Sequence, residues 1–266
     1  MHNDTQEWSR MSLGRFRVDG QTAIITGASQ GIGREIAEQF AADGADVVVC
    51  SRKQSKVDEV AATINDRDGG RALAIECDVT DRDAVEALVE ATVEEFGELD
   101  CLVNNAGASF MTDFDEISPN GWKTIVDINL HGTYHCTQVA GDYLADGGGT
   151  VINLASVAGQ QGSPQMSPYG AAKAAVINLT TTLSVEWAER GVRVNCIAPG
   201  LVLTPGVESQ MGVEAQDIDR TEVDRRIGVS AEIADLAQFL ASDAASYLIG
   251  ETVTAKGVPR ISEGGD

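Results

Sequence analysis

The chain has little positive charge. Its 266 residues hold 19 lysines and arginines against 41 aspartates and glutamates, a formal charge of -22. Only five of the basic residues are lysines: Lys53, Lys56, Lys123, Lys173 and Lys256. No basic run exceeds two residues. Such a surface repels nucleic acid and anionic lipid, so neither is expected as a partner. Acidity with scarce lysine reads as a solubility device and predicts a halophilic host.

Long apolar runs are also missing. None approaches the ~18 residues of a membrane span. The first nineteen residues are polar and charged, unlike a signal peptide, so a cytoplasmic protein is expected. The five cysteines (Cys50, Cys77, Cys101, Cys136, Cys196) are widely spaced and form no CxxC, which gives no sign of a zinc site or a disulfide framework. No linker-like stretch divides the chain. The reading is one domain over 18–266, preceded by an N-terminal extension over 1–17 for which no order is expected.

What is present is a core-forming α/β pattern. Apolar residues make up 43% of the chain. Runs at Thr22–Thr26, Ala45–Cys50, Ala72–Cys77, Cys101–Val103, Thr150–Leu154, Val192–Ile197 and Thr252–Thr254 are mostly continuous rather than alternating, as in strands covered on both faces. Helical periodicity fills 32–43, 54–67, 81–96, 119–145, 168–190 and 231–241. This alternation predicts a single doubly wound, Rossmann-type parallel sheet of about seven strands with helices on both faces. Ser118-Pro119 marks a helix start, Thr80 to Asp83 resembles a capping box, and Gly191 marks a helix end. The charged, glycine-bearing stretch 203–228 fits least well and reads as a substrate lid.

Thr26-Gly27-Ala28-Ser29-Gln30-Gly31-Ile32-Gly33 joins the first strand to the first helix. Glycines there let the backbone turn and approach a pyrophosphate at the helix N-terminus. The spacing alone arises about 0.3 times by chance in a chain this rich in glycine, so its position carries the weight. The second strand ends in Ser51-Arg52-Lys53 rather than in the acid that bonds an NAD ribose. Arg52 can pair with a 2′-phosphate and Ser51 can donate to it, so NADP(H) is expected over NAD(H).

Tyr169 and Lys173 stand four apart in a helical segment and share one face. A neighbouring ammonium favours the phenolate and is expected to bring the tyrosine pKa toward neutrality. His131 and His135 share that spacing, but no third ligand is evident; helix packing is the reading and no metal is expected. Trp122 and Trp187 read as core or interface anchors.

The turn at 26–33, Asp78-Val79, Asn104-Asn105-Ala106-Gly107, Asn129, Ser156, Tyr169-x-x-x-Lys173 and Pro199-Gly200 occur in one order. That order resembles the short-chain dehydrogenase/reductase family from about Val18 to Val258. The resemblance implies carbonyl reduction or alcohol oxidation, with Tyr169 as acid/base, Ser156 on the carbonyl oxygen, Lys173 supporting Tyr169 and the ribose, and Asn129 holding a linking water. It assigns cofactor contacts to Gly27, Ser29, Gln30, Gly31, Ile32, Gly33, Ser51, Arg52, Asp78, Val79, Asn105, Ala106 and Gly107. Tyr169, Lys173, Pro199, Gly200 and Thr204 complete that set, with Ile197 beside the nicotinamide. Two departures stand out: Gln30 where phosphate-binding members often carry a base, and Lys256-Gly257-Val258 in place of an acid-Gly-Gly ending. The segment 104–144 is similar to acyl-thioester reductases. A 3-ketoacyl thioester reductase is therefore expected, with sugar, polyol or simple secondary-alcohol dehydrogenases as the alternative and a non-catalytic NADP-binding sensor ranked below. Relatives pair the helices at 119–145 and 168–190, so the resemblance implies a homotetramer or homodimer.

Overall fold

Continuously apolar strands need cover on both sides, and the fold supplies it. A computed structural model describes residues 14–258 apart from 146, 224 and 225, and all but the side chain of Gln210 within them. The elements run β1 (Thr22–Thr26), α1 (Gly31–Ala42), β2 (Asp46–Ser51), α2 (Gln54–Asn65), β3 (Ala72–Glu76), α3 (Arg82–Phe96) and β4 (Cys101–Asn104). Next come α4 (Pro119–Val126), α5 (Gly132–Ala145), β5 (Thr150–Leu154), α6 (Val157–Gln160), α7 (Ser167–Glu186) and β6 (Arg193–Pro199). The chain continues with β7 (Val202–Leu203), α8 (Pro205–Met211), β8 (Gly228–Val229), α9 (Ser230–Ala241) and β9 (Thr252–Ala255).

Seven strands form one parallel sheet in the order β3-β2-β1-β4-β5-β6-β9. This is the expected Rossmann-like architecture. Side chains alternate across it. Ile25, Val47 and Val49 face Ile36 and Phe40 of α1 and Leu240 of α9, while Ile24 and Val48 face Leu88 of α3 and Leu144 of α5. Phe40 is fully buried, so truncation to alanine should cost about 3–5 kcal/mol. The strand order reverses between β1 and β4, and a crevice opens beyond their carboxyl ends.

Several expectations change in detail. The long helix over 119–145 is broken by a π-helical turn at Asp127–His131, which carries Asn129. Ser118 does cap its start, accepting from Gly121 N at 3.0 Å. The helix expected to reach 190 ends at Glu186, a 3₁₀ turn follows, and Gly191 takes φ 74°. The cap before α3 is Asp81 rather than Thr80, because Thr80 is drawn to Asp78 instead, donating from both N and Oγ1 at 3.0 and 2.8 Å. At the two ends of the stretch expected to be a lid, β7 pairs with β8, and its described residues include α8.

Residues 1–13 of the expected N-terminal extension lie outside the described residues. Residues 14–17 are held against the sheet-covering helices: Phe16 stacks on Phe239 at 6.0 Å and the Arg17 guanidinium pairs with Asp43 at 3.1 Å. Among the described residues all five cysteines are buried thiols, and no helix is long and apolar enough to cross a membrane.

Candidate active site

The site begins where β1 ends. Gly27 and Gly31 have φ of 66° and 59°, which a side chain would strain. A Cβ on Gly27 would also lie 2.8 Å from Ala106 Cα. Gln30 precedes α1 in extended conformation and offers no side-chain cap, which leaves the first N–H groups of a twelve-residue helix without one. Thr26 and Asn105 tie this turn to the loop after β4. Thr26 Oγ1 accepts from the backbone N of Asn105 and of Ala106, each at 3.0 Å, and Asn105 Nδ2 donates to Thr26 O at 2.9 Å. Gly33 does not face the cleft; it packs beneath it, where a Cβ would meet Asn105 Nδ2 at 2.3 Å.

The turn forms one wall of a cleft of about 700 Å³. Of the residues expected to hold the cofactor, Gly27, Ser29, Gln30, Gly31 and Ile32 line it, with Ser51 and Arg52 at one end. Asp78, Val79, Asn105, Ala106, Gly107 and Thr204 line the remainder. Thr204 lies against the turn, its Cγ2 3.3 Å from a Cβ position on Gly31. Pro199 and Gly200 end and follow β6 and do not line this cleft; Gly200 abuts Lys256, whose Cα would be 3.0 Å from an added Cβ. The site also takes in Lys53, Lys56, Cys77, Ala108 and Ile128, which the sequence reading did not assign. Lys56 was within reach of that reading, because Lys53 and Lys56 are three apart at the start of a helix.

The second half of the site depends on two helices meeting backbone to backbone. A Cβ on Gly159 of α6 would lie 2.6 Å from the carbonyl carbon of Lys173. One on Gly170 of α7 would lie 2.9 Å from Ala158 O. This contact sets Ser156, the residue before α6, beside Tyr169. Ser156 Oγ accepts from Ala158 N at 3.1 Å, which leaves its proton to donate.

Lys173 is buried, and its Nζ donates to Leu154 O at 2.6 Å. It stands 5.7 Å from the Tyr169 ring centroid. Burial pushes the Tyr169 phenol up, opposed by the neighbouring Ser156 hydroxyl. The expectation that Lys173 would bring that phenol toward neutrality is therefore not met. Lys173 is buried and Tyr169 half-buried, so desolvation disfavours each charged form, and it lowers the Lys173 ammonium to about 8.

Asn129 is fully buried in the π turn. Its Nδ2 donates to Ala108 O and Ile125 O at 2.7 and 2.8 Å, while Oδ1 has no partner among the described residues. That oxygen and Lys173 Nζ lie 2.8 and 3.6 Å from one point beside Gly107. A buried acceptor left open beside an ammonium fits a bridging water. His131 and His135 meet different partners, Asp127 and the carbonyl of Val79. Trp187 packs on Gly141 under the Arg190 guanidinium, and Trp122 is partly exposed.

The short chain dehydrogenase family model matches residues 21–213. A 3-oxoacyl-[acyl-carrier-protein] reductase of Synechocystis sp. is 38% identical, covering 89% of this chain and 96% of that protein. A D-threitol dehydrogenase of Mycolicibacterium smegmatis is 37% identical, covering 91% and 94%. The solved structure of a 7α-hydroxysteroid dehydrogenase complexed with NADH and 7-oxo glycochenodeoxycholic acid superposes with a TM-score of 0.84 at 33% identity, covering 94% of this chain and 98% of that one. The chain is a member of the short-chain dehydrogenase family of nicotinamide-dependent oxidoreductases.

Proposed function

We propose that the chain reduces a ketone to a secondary alcohol, or runs the reverse reaction, with NADP(H) and with Tyr169 as acid/base. The observation that carries this is the α6–α7 backbone contact, which brings Ser156, Tyr169 and Lys173 together beside the loop that lines the cleft. The bound cofactor supplies the hydride. Tyr169 Oη gives its proton to the substrate oxygen, and Ser156 donates to the same oxygen, stabilising its developing charge. Lys173 faces the phenolate left behind, and the Asn129 acceptor holds the water through which the proton returns. A phenol raised by burial stays protonated at neutral pH, which suits reduction.

The NADP(H) reading is supported by charge. Arg52 and Lys53 line the cleft, and among the described residues neither forms an ion pair in a chain with 41 acids. The 38%-identical 3-oxoacyl reductase favours a 3-ketoacyl thioester substrate, and the D-threitol dehydrogenase favours a polyol. NADPH consumption in molar KCl with acetoacetyl-CoA, beside threitol with NADP⁺, separates them. Turnover of neither, nor of simple ketones, removes the catalytic reading.

The segment 203–228 acts as the substrate lid in this reading, and the protein is cytoplasmic. Exposed Tyr134, Tyr143 and Val185 on α5 and α7 support pairing of those helices into a dimer or tetramer. A monomer mass by light scattering in molar KCl would remove that assembly.

A further inference from the structure

Gln165 is the one non-glycine residue with positive φ among those described, at 65°. It lies in the loop between α6 and α7, four residues before Tyr169. Left-handed backbone is costly for a residue with a side chain and persists where surrounding contacts impose it. Here both its backbone and its side chain reach the loop after β4. The carbonyl of Gln165 accepts from Thr112 N at 3.0 Å, and Gln165 Nε2 donates to Asp113 Oδ1 at 2.9 Å. Asp113 precedes the 3₁₀ turn Phe114–Glu116 but makes no side-chain cap to it. Its carboxylate is committed to Gln165 instead.

The loop held in this way begins at Asn105 and Gly107, which line the cofactor cleft, and includes Ala108, whose carbonyl receives Asn129 Nδ2. Met111 and Phe114, which flank the clasped pair in sequence, are 69% and 67% exposed. Both are apolar side chains on a loop tied to the residue four before Tyr169, and exposed apolar side chains there offer contact surface for an apolar substrate group. We infer that Gln165 and Asp113 form a clasp that joins the two loops bordering the active site, and that this clasp positions Met111 and Phe114 for substrate binding. Both are positioning residues, acting on substrate affinity and not on the chemical step. This role rests on the catalytic reading above.

Asp113→Ala tests it without touching the loop that precedes Tyr169, and Asp113→Asn keeps an acceptor oxygen. One exposed hydrogen bond corresponds to about a fivefold effect. Amide hydrogen exchange over residues 110–116 should therefore quicken about fivefold in Asp113→Ala and stay at the parental rate in Asp113→Asn. With a series of methyl ketones, KM should rise about fivefold in the alanine variant, more for longer chains. Its kcat and its NADPH Kd should not change. Unchanged exchange in Asp113→Ala, or an asparagine variant as loose as the alanine one, overturns the clasp. Loosened exchange with unchanged KM, or with kcat falling alone, overturns its substrate role. Should the parent turn over no carbonyl or alcohol, the catalytic reading and the substrate role fail together, while exchange still decides whether the clasp exists.

Discussion

Gly159 and Lys173 touch through their backbones: a methyl group at Gly159 would sit 2.6 Å from the Lys173 carbonyl carbon and 2.7 Å from Ala174 N. Backbone cannot move aside as a flexible side chain can, so α6 and α7 would separate. Ser156 would then leave Tyr169. Gly159→Ala is expected to lower kcat about 10- to 100-fold, because small misplacements near the reacting atoms are costly. Overpacking should also cost about 1–3 kcal/mol of stability. NADPH affinity, set across the sheet at the β1 turn, should hold. Stopped-flow turnover and fluorescence titration of NADPH check the two halves of this expectation.

Arg52 lines the cleft beyond β2 and has no ion-pair partner among the described residues. A guanidinium bonded to phosphate is worth about 1.5–3 kcal/mol, roughly 10- to 100-fold in affinity. Arg52→Ala should raise the NADPH KM by that factor and leave the NADH KM unchanged. Equal losses with both cofactors would show that Arg52 serves the fold or the shared pyrophosphate.

Lys173 links pH to stability. Burial depresses its ammonium to about 8, so the folded state sheds this proton more readily than the unfolded chain. The cost of burying the charge is complete below about 8 and is relieved as pH climbs toward the ordinary lysine range near 10.4. Lys173→Met removes that cost. The variant should be more stable than the parent by about 1–3 kcal/mol at pH 7, with the gap closing by pH 10, while turnover collapses. Urea denaturation at the two pH values measures it, and a variant less stable at pH 7 would contradict the sign.

Much of this is legible in the sequence. Strand runs such as Thr22–Thr26 and Thr150–Leu154 were placed to the residue, because unbroken apolar stretches bounded by turns leave few alternatives. The glycine turn at 26–33 stands out by its position between β1 and α1, and the Tyr169–Lys173 pair by its spacing. Three features do not. The π turn around Asn129 leaves hydrophobic periodicity nearly intact, so a continuous helix was the natural reading. Gly159 carries no sequence signal, because its requirement comes from packing against the backbone of Lys173, fourteen residues away in another helix. The direction of the Tyr169 shift depends on how deeply two side chains are buried, which spacing four apart does not encode.

The surface charge gives a further expectation. With -22 formal charges, self-repulsion destabilises the compact state until salt screens it. The unfolding midpoint should rise steadily between 0.1 and 2 M KCl. A flat midpoint would remove the halophilic reading while leaving the chemistry untouched.

The central claim is that Tyr169 carries the proton in a hydride-transfer reaction. The most direct measurement is NADPH-dependent reduction by Tyr169→Phe beside the parent chain, in molar KCl, with NADPH binding followed in parallel. The expected result is a 10²- to 10⁴-fold loss of kcat with cofactor affinity retained, as removal of a general acid gives. A phenylalanine variant that turns over like its parent would contradict the account.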